Sequence, residues 1–304
     1  MHFAEAVRGA EMRCRRSILC LVALVFAVAG CVTPPRTTLE PSARSLPGGR
    51  EFVLSIPQEE IATTIVRSGF ANFAGGGLIP ALIDLAIDAS RAKQAEADVV
   101  PLRDALSGYD FDRRATEALQ ELLTHNDWLG VKSVSLAKPS TREERERLLD
   151  ASATDQVAFL EYSYSCSASF ASIEVGLEVQ LVNTAIPGGG SPADRLNPEN
   201  LAYAHSFRSV IALHIPIGEA RDNVQRWAAS DGQLARQALD IGIARVHWML
   251  EKSLARTPEA AAALGSLPNS SVGAYYGKVV GTDAHGTLLQ LFDGQWVLVE
   301  SGAL

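Results

Sequence analysis

Cysteine is scarce in this chain: there are four in 304 residues, and Cys14, Cys20 and Cys31 all fall within the first 31. Only Cys166 lies beyond them, so the rest of the chain can form no internal disulfide. Cys166 has no His or basic partner at a motif spacing and reads as a small buried hydrophobe, not a nucleophile. Metal chemistry lacks a signature too. No two of His125, His205, His214, His247 and His285 share a ligand spacing, and there is no HExxH or CxxC. His205 and His214 fall on opposite faces of one expected strand. There is no G-x-S-x-G elbow. Glu174 and Glu178 share a strand face about 13 Å apart, wider than an inverting glycosidase pair at about 6.5–9.5 Å, and read as solvated. Gly75-Gly76-Gly77 precedes an apolar helix but lacks the Lys-Ser/Thr of a phosphate loop and the spacing of a dinucleotide fingerprint. A hinge is the expectation there. The chain is therefore read as non-catalytic, with no cofactor and no metal.

Long apolar runs are also missing. Spanning a bilayer takes about 20 residues, and Ile18–Gly30 offers 13. That length suits a secretory signal, with Arg13, Arg15 and Arg16 as its basic leader. Met12 is a more natural start than Met1, because Glu5 and Glu11 sit badly in such a leader. Charge is lopsided as well. Beyond residue 31 there are 23 basic and 33 acidic side chains, a balance of −10. Such a surface disfavours sequence-independent nucleic-acid binding and broad adsorption to anionic lipid.

The apolar run ends in Val28-Ala29-Gly30-Cys31, which resembles the lipobox of bacterial lipoproteins. The resemblance implies removal of residues 1–30, a diacylglyceryl group on the Cys31 thiol, and acylation of the new amine by a chain such as palmitate. Several acyl chains anchor stably, each buried CH2 contributing about 0.8 kcal/mol. Val32 is not the Asp that retains such proteins in the inner membrane of enteric bacteria, so the outer membrane, facing the periplasm, is expected. Residues 31–50, with four prolines and no apolar period, read as a solvated tether.

The body is expected over 51–256. Its centre is Gln156–Asn183, two arms in which Leu160, Tyr162, Tyr164 and Cys166, then Ile173, Val175, Leu177 and Val179, alternate with polar residues. Alternation with a change of phase at Ser167–Ser172 predicts a long hairpin. Strands are also expected at Glu51–Ile56, Val131–Ala137 and Tyr203–Ile215. Helices are expected at Gln58–Val66, at the nearly all-apolar stretch after Gly77 with Pro101 ending or kinking its extension, from Asp110-Phe111-Asp112, with Asp110 or Asp112 as cap, to an end at Asn126-Asp127 and Gly130, and at Arg142–Asp150 capped by Ser140 or Thr141. Two more follow at Arg221–Ala229 and Asp231–Leu254, the second with a packing stripe at Leu239, Ile243, Val246, Leu250 and Leu254. Trp227 and Trp248 are read as core or sheet-covering aromatics. Thr257–Ser271 reads as a linker, and 272–304 as a small β module of three strands with an Asp293-Gly294 turn. Tyr275, Tyr276 and Trp296 are assigned to core and edge packing, with an aromatic binding surface as the alternative.

The fold class is thus α/β (α+β): a mixed sheet with a long central hairpin covered by helices, plus a small C-terminal meander. The segments HNDW, LAKPSTREERERLL and DQVAFLEYSYS resemble the small periplasmic α/β domain of envelope-assembly lipoproteins of the curli-secretion and penicillin-binding-protein-activator types. GGGLI-x-ALID and YDFD are similar to segments of uncharacterised proteobacterial lipoproteins. These resemblances imply a lipid-anchored scaffold or assembly factor that binds other envelope proteins. Two alternatives stay open: a carrier of lipid or another amphiphile, using the apolar helix after Gly77, and an envelope hydrolase.

Overall fold

The computed structural model describes residues 38–64 and 78–300, except 40, 45, 140, 186–191 and 217 and the side chains of 42, 78–88, 192 and 193. Cys31, the triple glycine and the apolar side chains of Leu78–Ile87 therefore lie outside the described residues. All that is described belongs to one compact unit.

The centre is the expected hairpin. Strands β4 (Gln156–Cys166) and β5 (Ser172–Asn183) pair antiparallel in unbroken register from Gln156↔Asn183 to Cys166↔Ile173. Beside them run β1 (Arg50–Ser55), the two-residue β2 (Ala62–Thr63), β3 (Val131–Leu136) and β6 (Leu201–Ala212). The C-terminal strands are β7 (Asn269–Val272), β8 (Tyr275–Asp283), β9 (Gly286–Gln290) and β10 (Trp296–Val299). All ten form one sheet in the order β3-β1-β4-β5-β6-β10-β9-β8-β7, with β2 also on β4. The meander has four strands, and β10 joins it to the body by pairing parallel with β6. It extends the sheet.

Alternation decides which face is covered. Tyr162, Leu177 and Phe207 form one row across β4, β5 and β6, all buried on the helix side. Over that face lie α2 (Leu78–Leu106), α3 (Phe111–Thr124) and α5 (Ala220–Ala255), following a short α1 (Pro41–Arg44). The opposite face has a smaller core. There Leu149 of α4 (Arg142–Ala151) packs with Val53, Val157, Phe159, Val182 and Leu201. Caps explain the starts of two helices. Asp110 accepts from the Arg113 N–H, and Thr141 and Glu144 form a reciprocal capping box.

Several expectations are corrected. No helix covers Gln58–Ile61. Strand β1 stops at Ser55, leaving the far edge of β4 without a partner, and edge groups must be satisfied. Gln58 supplies them, donating to the Tyr164 carbonyl (2.7 Å) and accepting its N–H (3.1 Å), after which β2 pairs with Ser165 and Cys166. Pro101 neither ends nor breaks α2, which runs on to Leu106. Val99 and Leu102 on either side are fully buried, and this packing outweighs the about 3 kcal/mol that an interior proline costs. The expected linker after Thr257 is instead α6 (Pro258–Ala263), capped by the Thr257 hydroxyl, followed by β7. The tether is shorter than expected. Leu39 is fully buried, and the buried Arg50 guanidinium donates to the carbonyls of Ala43 and Leu129 and to Gln156. The described residues from Thr38 onward are part of the body.

The break expected between the last two helices is present as a kink, where Ser230, Asp231 and Gly232 are all left-handed. A Cβ on Gly232 would lie 3.2 Å from Ala105, and Arg236 ties the kink to the Ala105 carbonyl at 2.7 Å. Further along α5, Gly242 lets the helix approach β5. A Cβ there would stand 2.4 Å from a methyl carbon and 2.8 Å from the Cβ of Val175. Helix propensity alone favours Gly242→Ala by up to about 1 kcal/mol. Because Val175 is stiff and buried, overpacking is expected to reverse that sign and destabilise by about 1–3 kcal/mol. Urea denaturation of the variant checks this; a gain in midpoint would contradict the close approach.

Candidate functional site

The sheet face that carries α4, opposite α2, α3 and α5, has a polar strip with three zones. Near α4, Arg145 bridges Glu161 (2.7 Å) and Gln180 (3.1 Å) while its guanidinium lies over Phe159. Towards the meander, Glu174 is held by Arg208 (3.2 Å) and accepts from the Tyr275 hydroxyl (2.9 Å). Burial and the Glu174 carboxylate push that phenol up to about 12. Glu174 is thus paired and largely buried, not solvated as expected, whereas Glu178 is exposed.

Between these zones lies a cleft of about 320 Å3 lined by Glu178, Gln180, Ser206, Asp293 and Gln295, with His205 also at its wall. The β9–β10 turn forms one side. Its residues are fixed by Leu291–Gln295 backbone pairing, by Asp293 accepting the Gln295 N–H (3.0 Å), and by a left-handed Gly294 (φ 87°). Gln295 then donates to the Ser206 hydroxyl at 2.8 Å. Next to this turn, Phe292 is 78% exposed and Tyr276 50% exposed, their ring centroids 5.7 Å apart. Phe292 was not among the sequence candidates. Its signal was an aromatic placed directly before the Asp-Gly turn, where no strand can bury it.

Behind the cleft wall is a group of buried nitrogens. The His205 ring lies 5.2 Å from the Trp296 ring, and the Arg256 guanidinium stacks 4.0 Å from the centroid of the same indole. Among the described residues, both His205 nitrogens, the Trp296 N–H and both terminal nitrogens of Arg256 lack a hydrogen-bond partner. Burial, assisted by Arg256, pulls His205 down to about 3, so the imidazole is neutral at pH 7. Burial lowers Arg256 to about 10, against a smaller opposing effect of Tyr203. Cation–π stacking offsets part of the cost of holding that charge.

The sequence candidates are scattered. Cys166 is fully buried, and burial with Glu174 nearby pushes its thiol up to about 12, which keeps it protonated. His247 pairs with the Tyr162 hydroxyl deep under α5, and burial pulls it down to about 4. His214 falls in a bend beyond the end of β6, so it shares no strand with His205. His125 contacts the Glu121 carbonyl on α3, and His285 sits against Trp248. Trp227 and Trp296 are core, Trp248 is partly buried, and Tyr276 is the exposed member of the expected aromatic set. Among the described residues, no three His, Cys, Asp or Glu side chains converge as a metal site. No protein family, curated protein or solved structure matches the chain.

One fixed turn carries both features: Phe292, paired with Tyr276, stands exposed at its start, and Asp293 to Gln295 line the polar cleft. Interfaces are built this way, with aromatic anchors beside hydrogen-bonding groups.

Proposed function

We propose that this protein is a scaffold or assembly factor, anchored by acylated Cys31 to the periplasmic side of the outer membrane, which binds another envelope protein without catalysis. The observation that carries the binding half is the Tyr276–Phe292 pair, largely exposed at the β9–β10 turn, whose next residues Asp293, Gly294 and Gln295 line the cleft. Leaving a Phe ring in water has a cost that a partner's apolar surface removes. Asp293 and Gln295, which follow Phe292 in the same turn, supply polar groups for register. The lipobox-like Val28–Cys31 segment supports the anchoring half.

A photo-cross-linking residue at Phe292, in cells making the full chain, tests the binding half. It is expected to give one discrete adduct with an envelope protein, and the same probe at exposed Val100 on α2 should not give it. With the probe moved to Asp293, Tyr276→Ser and Phe292→Ser together should lower adduct yield at least tenfold, as hot-spot aromatics contribute about 2 kcal/mol or more. Equal adducts from positions 292 and 100, or a yield indifferent to both rings, would refute this surface as the interface.

A further inference from the structure

The point where the ordered body begins limits how it meets the membrane. Eight residue steps separate Cys31 from the buried Leu39. Whatever their path, eight residues span at most about 29 Å. The segment at Leu39 is fastened to one end of the sheet, because Arg50, in register with Gln156 at the start of β4, holds the Ala43 carbonyl. Strand β4 is 11 residues long, about 37 Å at the usual rise. Were the β4–β5 turn to rest on the bilayer, the Leu39 end would stand beyond the reach of its own anchor. That placement is excluded, and the Leu39 end must lie within about 29 Å of the bilayer.

The side chains at the Leu39 end suit that surface. Trp128 is 37% exposed, and the Arg44 guanidinium lies 5.4 Å over its ring. Lys132 is exposed, with its stem against Gly49. The nearby acids are Asp155, which accepts the Gly48 N–H and faces Arg50, and the exposed Asp127. An indole beside a guanidinium matches the headgroup layer, apolar on one side and phosphate-bearing on the other. Arg44 also donates to the Arg256 carbonyl at 3.0 Å, which locks the pair onto the end of α5.

We infer that the end of the sheet bearing Leu39, Arg44, Trp128 and Lys132 rests on the phospholipid headgroups of the bilayer that holds Cys31, with the β4–β5 turn pointing away. The inference rests on the acylation of Cys31 proposed above. It also narrows the partner. Cleft residues 204–206 lie three to five residues from the start of β6 at Leu201, within about 17 Å of the membrane-facing end. A protein docking at Phe292 is therefore itself bound to the membrane or held close to it.

The test uses the full mature chain, with Cys31 checked by intact mass, in vesicles of phosphatidylethanolamine and phosphatidylglycerol. Because Cys166 is buried, a fluorophore can be placed selectively at Ser133→Cys near Lys132, or at Ser169→Cys in the hairpin turn; both positions are exposed. Headgroup-labelled nitroxide lipid is expected to quench the dye at position 133 at least threefold more than at 169. Trp128→Ala should at least halve the signal at 133. Equal quenching at the two sites on acylated protein overturns the orientation alone, as does stronger quenching at 169. A signal at 133 that ignores Trp128→Ala overturns the docking surface. An unacylated Cys31 overturns both this inference and the anchoring on which it rests.

Discussion

At pH 5 the fold is expected to be about 4 kcal/mol less stable than at pH 7. His205 and His247 are the cause. Burial holds their folded-state values near 3 and 4, below the ordinary 6.5 of an unfolded imidazole. Between about pH 6.5 and 4 the unfolded chain therefore binds protons that the folded chain does not, and stability falls as pH falls. Each group accounts for about 2 kcal/mol by pH 5. Glu300, raised by burial, works in the opposite direction. Urea denaturation at pH 5, 6 and 7 measures the slope, and His205→Leu is expected to remove about half of it. A flat profile over that range would mean that both rings reach solvent.

The second large effect is expected at Trp227, where replacement by Ala should cost about 4 kcal/mol. The ring is fully buried in the first half of α5, and its N–H donates to the Phe170 carbonyl at 2.8 Å. Phe170 itself is left-handed (φ 53°) in the β4–β5 turn, so the indole clamps a strained turn to the helix layer. Trp227→Phe keeps much of the packing and gives up the hydrogen bond, so a smaller loss of about 1–2 kcal/mol is expected. Both are read as shifts in urea midpoint at unchanged slope. A loss below about 1 kcal/mol for Trp227→Ala would contradict its place in the core.

The hairpin, β6 and the α5 stripe were legible because period-two and period-3.6 patterns are written locally. Leu239, Ile243, Val246, Leu250 and Leu254 are all buried as their spacing required. Gln58 was misread for the opposite reason. Its role is to serve the unpaired edge of β4, a residue pair 106 positions apart, and no local pattern encodes that partner. Likewise the pairing of β10 with β6 is a long-range event, so the meander could be recognised as strands but not as an extension of the main sheet. Of the aromatics assigned to core and edge packing, Trp296 is buried and stacks on Arg256 as that assignment requires, whereas Tyr276 stands half exposed against Phe292. Phe292 emerged only once the turn's geometry set it in solvent. The anchor is the reverse case. It is legible in Val28–Cys31 alone, and those residues lie outside the described ones.

Mass spectrometry of the mature N-terminal peptide from the producing bacterium is the most direct test of the anchored scaffold. A chain beginning at Cys31, with a diacylglyceryl thioether and an acylated amine, is the predicted result. A mature chain that starts elsewhere, or that carries Cys31 as an unmodified thiol, would contradict it.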